Sequence, residues 1–80
     1  MEQQPKYSPE ENYVDEVSAW FTYHSPKSDQ APRYELLRDS AKSLAMKILY
    51  NVPPSADRTA ALRKLRECIM NANAAIAIYE

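Results

Sequence analysis

Eighty residues carrying a net charge of −1 make one small domain, near the lower limit of what a single hydrophobic core stabilises. That charge balance excludes general binding to DNA, which needs a basic footprint; one cysteine excludes an intrachain disulfide, and a single histidine excludes a His/Cys metal cluster. Glycine is absent, so no phosphate-cradling loop of the P-loop or Rossmann kind can be written, and any bound nucleotide has to be held by side chains and helix ends.

Residues 1–7 are polar and read as disordered or loosely held, ahead of a single helical domain over residues 8–80. A first helix is expected over about residues 9–22. Ser8-Pro9-Glu10-Glu11 supplies a cap residue, a proline at the first helical position and a glutamate three residues after the serine, which together make a capping box. Tyr13, Val14, Val17, Trp20 and Phe21 follow at helical spacing as an apolar stripe. The stripe runs out at Thr22-Tyr23-His24-Ser25-Pro26, where proline and the residue before it disfavour helix.

Two longer amphipathic arms come next, over about residues 30–50 and 56–78. Pro32 suits the first turn of the first arm, and Tyr34, Leu37, Ala41, Leu44 and Ile48 alternate spacings of three and four as a seam, widened by Ala45 and Leu49. The second arm opens on Ser55 as N-cap with Asp57 in the first turn, and Leu62, Leu65, Ile69, Ala72 and Ile76 form the matching seam. Only Asn51-Val52-Pro53-Pro54 joins the arms, so they fold back antiparallel. The fold class is all-α: a short N-terminal helix and a long helical hairpin. One short helix cannot cover both faces of such a hairpin, and Ala72, Ala74, Ala75 and Ala77 invite close approach of another helix, so a homo-oligomer is expected. No apolar run approaches the ~18 residues of a membrane span, and no secretory signal is visible, so a reduced cytosolic compartment fits and no membrane partner is expected.

Four strings occur in order with compact spacing: Tyr23-His24-Ser25-Pro26, Leu37-Arg38-Asp39-Ser40-Ala41-Lys42-Ser43-Leu44-Ala45, Val52-Pro53-Pro54-Ser55-Ala56-Asp57-Arg58-Thr59-Ala60-Ala61-Leu62 and Asn71-Ala72-Asn73-Ala74-Ala75-Ile76-Ala77. Over residues 20–78 the chain resembles the hairpin domain of the phage anti-CBASS cyclic-oligonucleotide sponges, a domain shared with a Thoeris-inhibiting phage protein. It departs from the family pattern at Arg63, where threonine is common, and at Asn71, where an aromatic is common. The resemblance implies a hexamer built as a trimer of dimers, acting in the cytoplasm of the infected bacterial host. It implies pockets for cyclic dinucleotides such as cGAMP between paired protomers, separate pockets for cyclic trinucleotides, and sequestration without cleavage.

A cyclic dinucleotide presents two base faces and two phosphodiester charges, so its recognition wants aromatic platforms and cations together. Tyr23 at the bend after the first helix is either a stacking platform or a cap over the small core, and the resemblance favours stacking. Trp20, one turn earlier, belongs to the apolar stripe as well. Arg38 and Lys42, four apart, share a helix face and can each meet a phosphate; an ordinary solvated pair is the alternative. His24 either meets a base edge or caps the coming helix. For the trinucleotide site the candidates are Arg58, in the first turn of the second arm, with Asn71 and Asn73 as base readers. Arg58 paired with Asp57, and buried asparagines that fix helix register, are the rival readings.

No catalytic residue, metal site or cofactor is expected. Cys68 adjoins the seam and reads as a packing residue, and Glu10, Glu11, Asp15 and Glu16 match no metal motif. The competing function class is a small oligomeric protein-binding module that docks a partner through an aromatic patch of Trp20, Phe21 and Tyr23.

Overall fold

The computed structural model describes residues 5–80 as three helices: α1 over Glu11–Trp20, α2 over Gln30–Asn51 and α3 over Ala56–Tyr79. Helices α2 and α3 form the hairpin, and α1 leans on α3. Residues 1–4 of the segment expected to be loosely held lie outside the described residues; 5–10 precede α1 with no helix or strand.

The capping box at Ser8 does not form. The N-cap of α1 is Glu10, without a side-chain cap, and Pro9 precedes the helix rather than starting it. The helix also ends two residues earlier than expected. Thr22 donates its hydroxyl back to Ser18 O at 2.7 Å, and His24 places Nε2 2.9 Å from Ala19 O. Both side chains add to the backbone bonds that Phe21 N and Thr22 N make to these same carbonyls at the helix end. His24 thus caps α1 behind it, not α2 ahead of it.

The turn into α2 requires a residue in the left-handed region. With no glycine in the chain, Ser28 takes it, at φ 54°. Gln30 closes this turn twice: its backbone N donates to Lys27 O, and its Oε1 accepts from Lys27 N at 3.0 Å. At the other end of the hairpin, extended Val52 and the two prolines stop α2, and Ser55 Oγ accepts from Arg58 N at 3.0 Å to cap α3. That N-cap is where the sequence puts it.

Among the described residues no apolar side chain is buried; the one buried residue is Gln30, 2% exposed. The α3 seam of Leu62, Leu65, Ile69, Ala72 and Ile76 is half-buried throughout; on α2 Tyr34, Leu37, Ala41, Ala45 and Ile48 are half-buried too, but Leu44 and Leu49, expected in the seam, are exposed. Cys68 is also exposed, which removes it from the seam.

What fastens the open end of the hairpin is polar. Gln30 Nε2 donates to Ile76 O at 3.2 Å and to Glu80 Oε1 at 3.1 Å. Ile76 O is one of the last four carbonyls of α3, so one arm caps the other. Arg33 donates to both carboxylate oxygens of Glu80, with 2.7 Å to Oε2, and reaches Asp29 at 3.1 Å. The hydrogen bonds from Arg33, then the one from Gln30, hold the Glu80 carboxyl down at about 2, and the bonds to Glu80, with the nearby Asp29 charge, push the guanidinium up.

Two outcomes follow for stability. Gln30→Ala leaves Lys27 N and Ile76 O without their partner, and losing buried hydrogen bonds of this kind costs about 1–3 kcal/mol; urea melts followed by circular dichroism measure it. The Glu80 pKa is lowered on folding, so its contribution is complete above the ordinary value of 4.5 and is lost as pH falls toward about 2. In that window the unfolded chain binds the extra proton, and stability rises with pH. Glu80→Gln should flatten this limb of the melting-temperature profile; an unchanged acid limb would remove the clamp from the account.

Candidate functional site: two grooves that meet at Asn73

Helices α2 and α3 leave an open groove of about 330 Å³ between them. Its floor is apolar, from Ala41, Ala45, Leu62, Leu65 and Ile69, and three cations line it as well: Arg38, Lys42 and Arg66. The small Ala41 and Ala45 leave this space open where larger side chains would fill it. A second groove, about 420 Å³, lies where the α1–α2 bend meets the far half of α3 and is lined by Tyr23, His24, Pro26, Tyr34, Ala74 and Ala77. Asn73 lines both grooves, so the two adjoin.

The helices supply the alignment. Tyr34, Arg38 and Lys42 are spaced by four and form one stripe along α2; Arg66 and Asn73 lie seven apart, two turns, on α3. The joined surface therefore runs from aromatic at one end to cationic at the other. No acidic residue lines either groove, and none of Arg38, Lys42 and Arg66 has a carboxylate within ion-pair range among the described residues. The chain as a whole is slightly acidic, yet this face offers an anion uncompensated positive charge.

Tyr23 is 81% exposed, so within the protomer it caps no core and presents its ring to the second groove. His24 shares that groove while its Nε2 is engaged on Ala19 O. Trp20 is not brought to the same place. It stands edge-on to Tyr13, with ring centroids 6.2 Å apart and planes at 88°, beside a recess lined by Asn71, Ala75, Ile78 and Tyr79.

The other candidates separate. Arg58 is half-buried beside the bend of the hairpin, and no carboxylate reaches it among the described residues, so the pairing with Asp57 is not formed. Asn71 and Asn73 lie about 20 Å further along α3, at the helical rise of ~1.5 Å per residue. One protomer does not join Arg58 to either asparagine. Asn73 belongs with the Tyr23 and Arg38 face, and its Oδ1 is buried without a hydrogen-bond donor among the described residues.

Sequence reasoning missed Arg66 and gave Tyr34 to the seam alone. Both carried a readable signal: Tyr34 is one turn before Arg38, and Arg66 is one turn after Leu62 and two before Asn73. Among the described residues no group of three or more His, Cys, Asp or Glu side chains is placed to hold a metal ion, and no helix is long and apolar enough to cross a membrane.

Comparison with known families gives one match: the family described as Acb2/Tad1, hairpin domain, over residues 15–77. Comparisons with curated proteins and with solved structures return no match. The matched span takes in the second half of α1, all of α2 and nearly all of α3, and with them both grooves.

Proposed function

We propose that this chain, which belongs to the Acb2/Tad1 hairpin family, is a phage-encoded sponge for cyclic oligonucleotide second messengers. It binds them in the cytoplasm of the infected bacterium and withholds them from the effectors of host CBASS-type immunity. The observation that carries this reading is the acid-free face on which exposed Tyr23 and half-buried Tyr34 adjoin Arg38, Lys42 and Arg66. Aromatic rings offer stacking, worth ~1–3 kcal/mol per base, and unpaired cations offer phosphate contacts. Each groove alone sits near the lower end of the ~300–1,000 Å³ of small-molecule sites, and together they suit a ligand with two bases and two phosphates.

The site is completed by a second copy of the chain. The protomer exposes 7139 Å² of surface, where a compact monomer of 9.2 kDa exposes about 4,900 Å². That excess is larger than the ~800 Å² each partner contributes to a standard interface. A hexamer made as a trimer of dimers, as in the family, accounts for it, and gives Arg58 neighbours from other protomers at a separate trinucleotide pocket. The ligand leaves chemically intact: Cys68 is exposed on the middle of α3, and the His24 ring nitrogen is occupied by a backbone carbonyl, so neither is organised as a nucleophile and base.

A second reading has its own observation. Phe21 is 85% exposed next to Tyr23, an aromatic pair that fits docking of a protein partner. Thermal melts with cyclic dinucleotides separate the two, since only the sponge gains melting temperature with ligand.

Calorimetry on purified variants, with oligomeric state checked by light scattering, tests the site. Tyr23→Ala should lose cyclic-dinucleotide affinity by roughly tenfold, and more where a two-fold pocket carries the change twice. Arg38→Ala, Lys42→Ala and Arg66→Ala should weaken binding most at low salt. Arg58→Ala should spare dinucleotides and damage trinucleotide binding. Wild-type affinity in all the groove variants would sink the assignment, and a monomer at micromolar concentration would sink the inter-subunit pocket. Ligand recovered after heat or protease treatment should be the intact cyclic form; linear product above a no-protein control would make the protein a phosphodiesterase.

A further inference from the structure

We propose that the recess beside Trp20 is a second binding site, which takes an alkylammonium group: a cation whose methyl or methylene shell packs on aromatic rings. The recess is about 440 Å³ and is lined by Trp20, Asn71, Ala74, Ala75, Ile78 and Tyr79. It shares only Ala74 with the two grooves already described, and none of Tyr23, Arg38, Lys42 and Arg66 reaches it. Trp20 is the last residue of α1 and Tyr79 the last of α3, and both rings are exposed. Two helix C-termini therefore meet at one recess, each the negative end of its dipole, and neither helix has a basic residue in its last turn. At the α3 end Arg33 is already engaged by Glu80. Glu16, one turn before Trp20, accepts a hydrogen bond from the Tyr79 hydroxyl at 3.5 Å, which sets a carboxylate at the rim. No cation pairs with Glu16 among the described residues.

Chemistry narrows the occupant. Residues 7–26 carry four carboxylates, Glu10, Glu11, Asp15 and Glu16, and no lysine or arginine, so the α1 side of the recess repels anions. A small, strongly hydrated metal ion wants several oxygen ligands at once, and no three His, Cys, Asp or Glu side chains are placed to hold one among the described residues. An alkylammonium cation is weakly hydrated by comparison. Its charge is attracted by the faces of Trp20 and Tyr79, by Glu16 and by the two helix ends. Its apolar shell packs on Ala74, Ala75 and Ile78, where a bare charge gains nothing. Small residues at 74 and 75 keep the floor low enough to admit it. The recess thus has the charge preference opposite to that of the cationic groove, although α3 lines both.

Trp20 is the only tryptophan of the chain, so its emission reports on this recess alone. The test titrates the full-length protein, at constant ionic strength, with choline and with dimethylbutanol, the uncharged probe in which carbon replaces the quaternary nitrogen. Choline should shift Trp20 emission saturably to shorter wavelength and bind roughly five- to thirtyfold tighter than the uncharged probe. Tyr79→Ala removes one wall and should abolish most of that preference. Glu16→Gln keeps the shape of the rim and should weaken choline about two- to fivefold while leaving dimethylbutanol unchanged. Equal affinity for the two probes, absence of a saturable shift with choline, or an undiminished preference in both variants overturns the proposal. Should Tyr79→Ala lose its helical signal, the choline-to-dimethylbutanol ratio in Glu16→Gln decides alone. Calorimetry with cyclic dinucleotide on the same samples reads the other face, so failure of the sponge and failure of this site are separate results.

Discussion

Among the described residues Gln30 is the one buried side chain, and its amide is the joint on which the rest depends. It closes the turn before α2, caps the last turn of α3, and meets Glu80, which Arg33 also grips. Antiparallel arms put the N-terminus of α2 beside the C-terminus of α3. Arg33 near the positive end of one helix and Glu80 at the negative end of the other are each misplaced with respect to their own helix dipole. Pairing across the gap relieves both. A forked guanidinium–carboxylate contact between two such sites has a direction as well as a strength, and it fixes the stagger of the arms where the apolar seam does not.

The seam cannot fix it, because it is shallow. Leu62, Leu65 and Ile69 are only half covered, and the residues opposite them on α2 include Ala41 and Ala45. The same smallness that weakens the hairpin as a folded unit leaves its long groove open. Stability of the protomer and availability of the site are thus opposed on one surface. The proposed oligomer would resolve the opposition by burying the remaining apolar area between copies, which would leave the gap between the arms for other use.

Periodicity and punctuation in the sequence were enough for the three helices and the bend, because prolines and a serine cap act locally. The α3 seam was legible for the same reason. On α2 the alternation of three and four points to Leu44 and its widening to Leu49, yet the helix turns Ala45, not these leucines, inward; a spacing pattern does not weigh the size of the opposing residue. The clamp was not legible at all. Gln30, Arg33 and Glu80 are ordinary polar residues separated by some fifty positions of chain, and nothing periodic joins them. The capping box at Ser8 was a local pattern that the chain does not use. Among site candidates, Arg38, Lys42 and Tyr23 were named from residue type and resemblance, but that Asn73 sits with them rather than with Arg58 depends on how far apart positions lie along a helix axis.

The hairpin is pinned at both extremities and only lightly packed between them. A proline bend fixes one end, the Gln30–Arg33–Glu80 clamp the other, and the span between is bridged by half-buried contacts. Such a frame has its least stiffness at mid-span, which is where Arg38, Lys42 and Arg66 line the groove. Its end points keep the register of the arms constant while the separation at the centre yields. Under the proposed function, messengers that differ in base or ring linkage would be met by a small bowing of the arms, with no hinge needed. In a glycine-free chain, compliance of this kind comes from the length of the beams between their anchors.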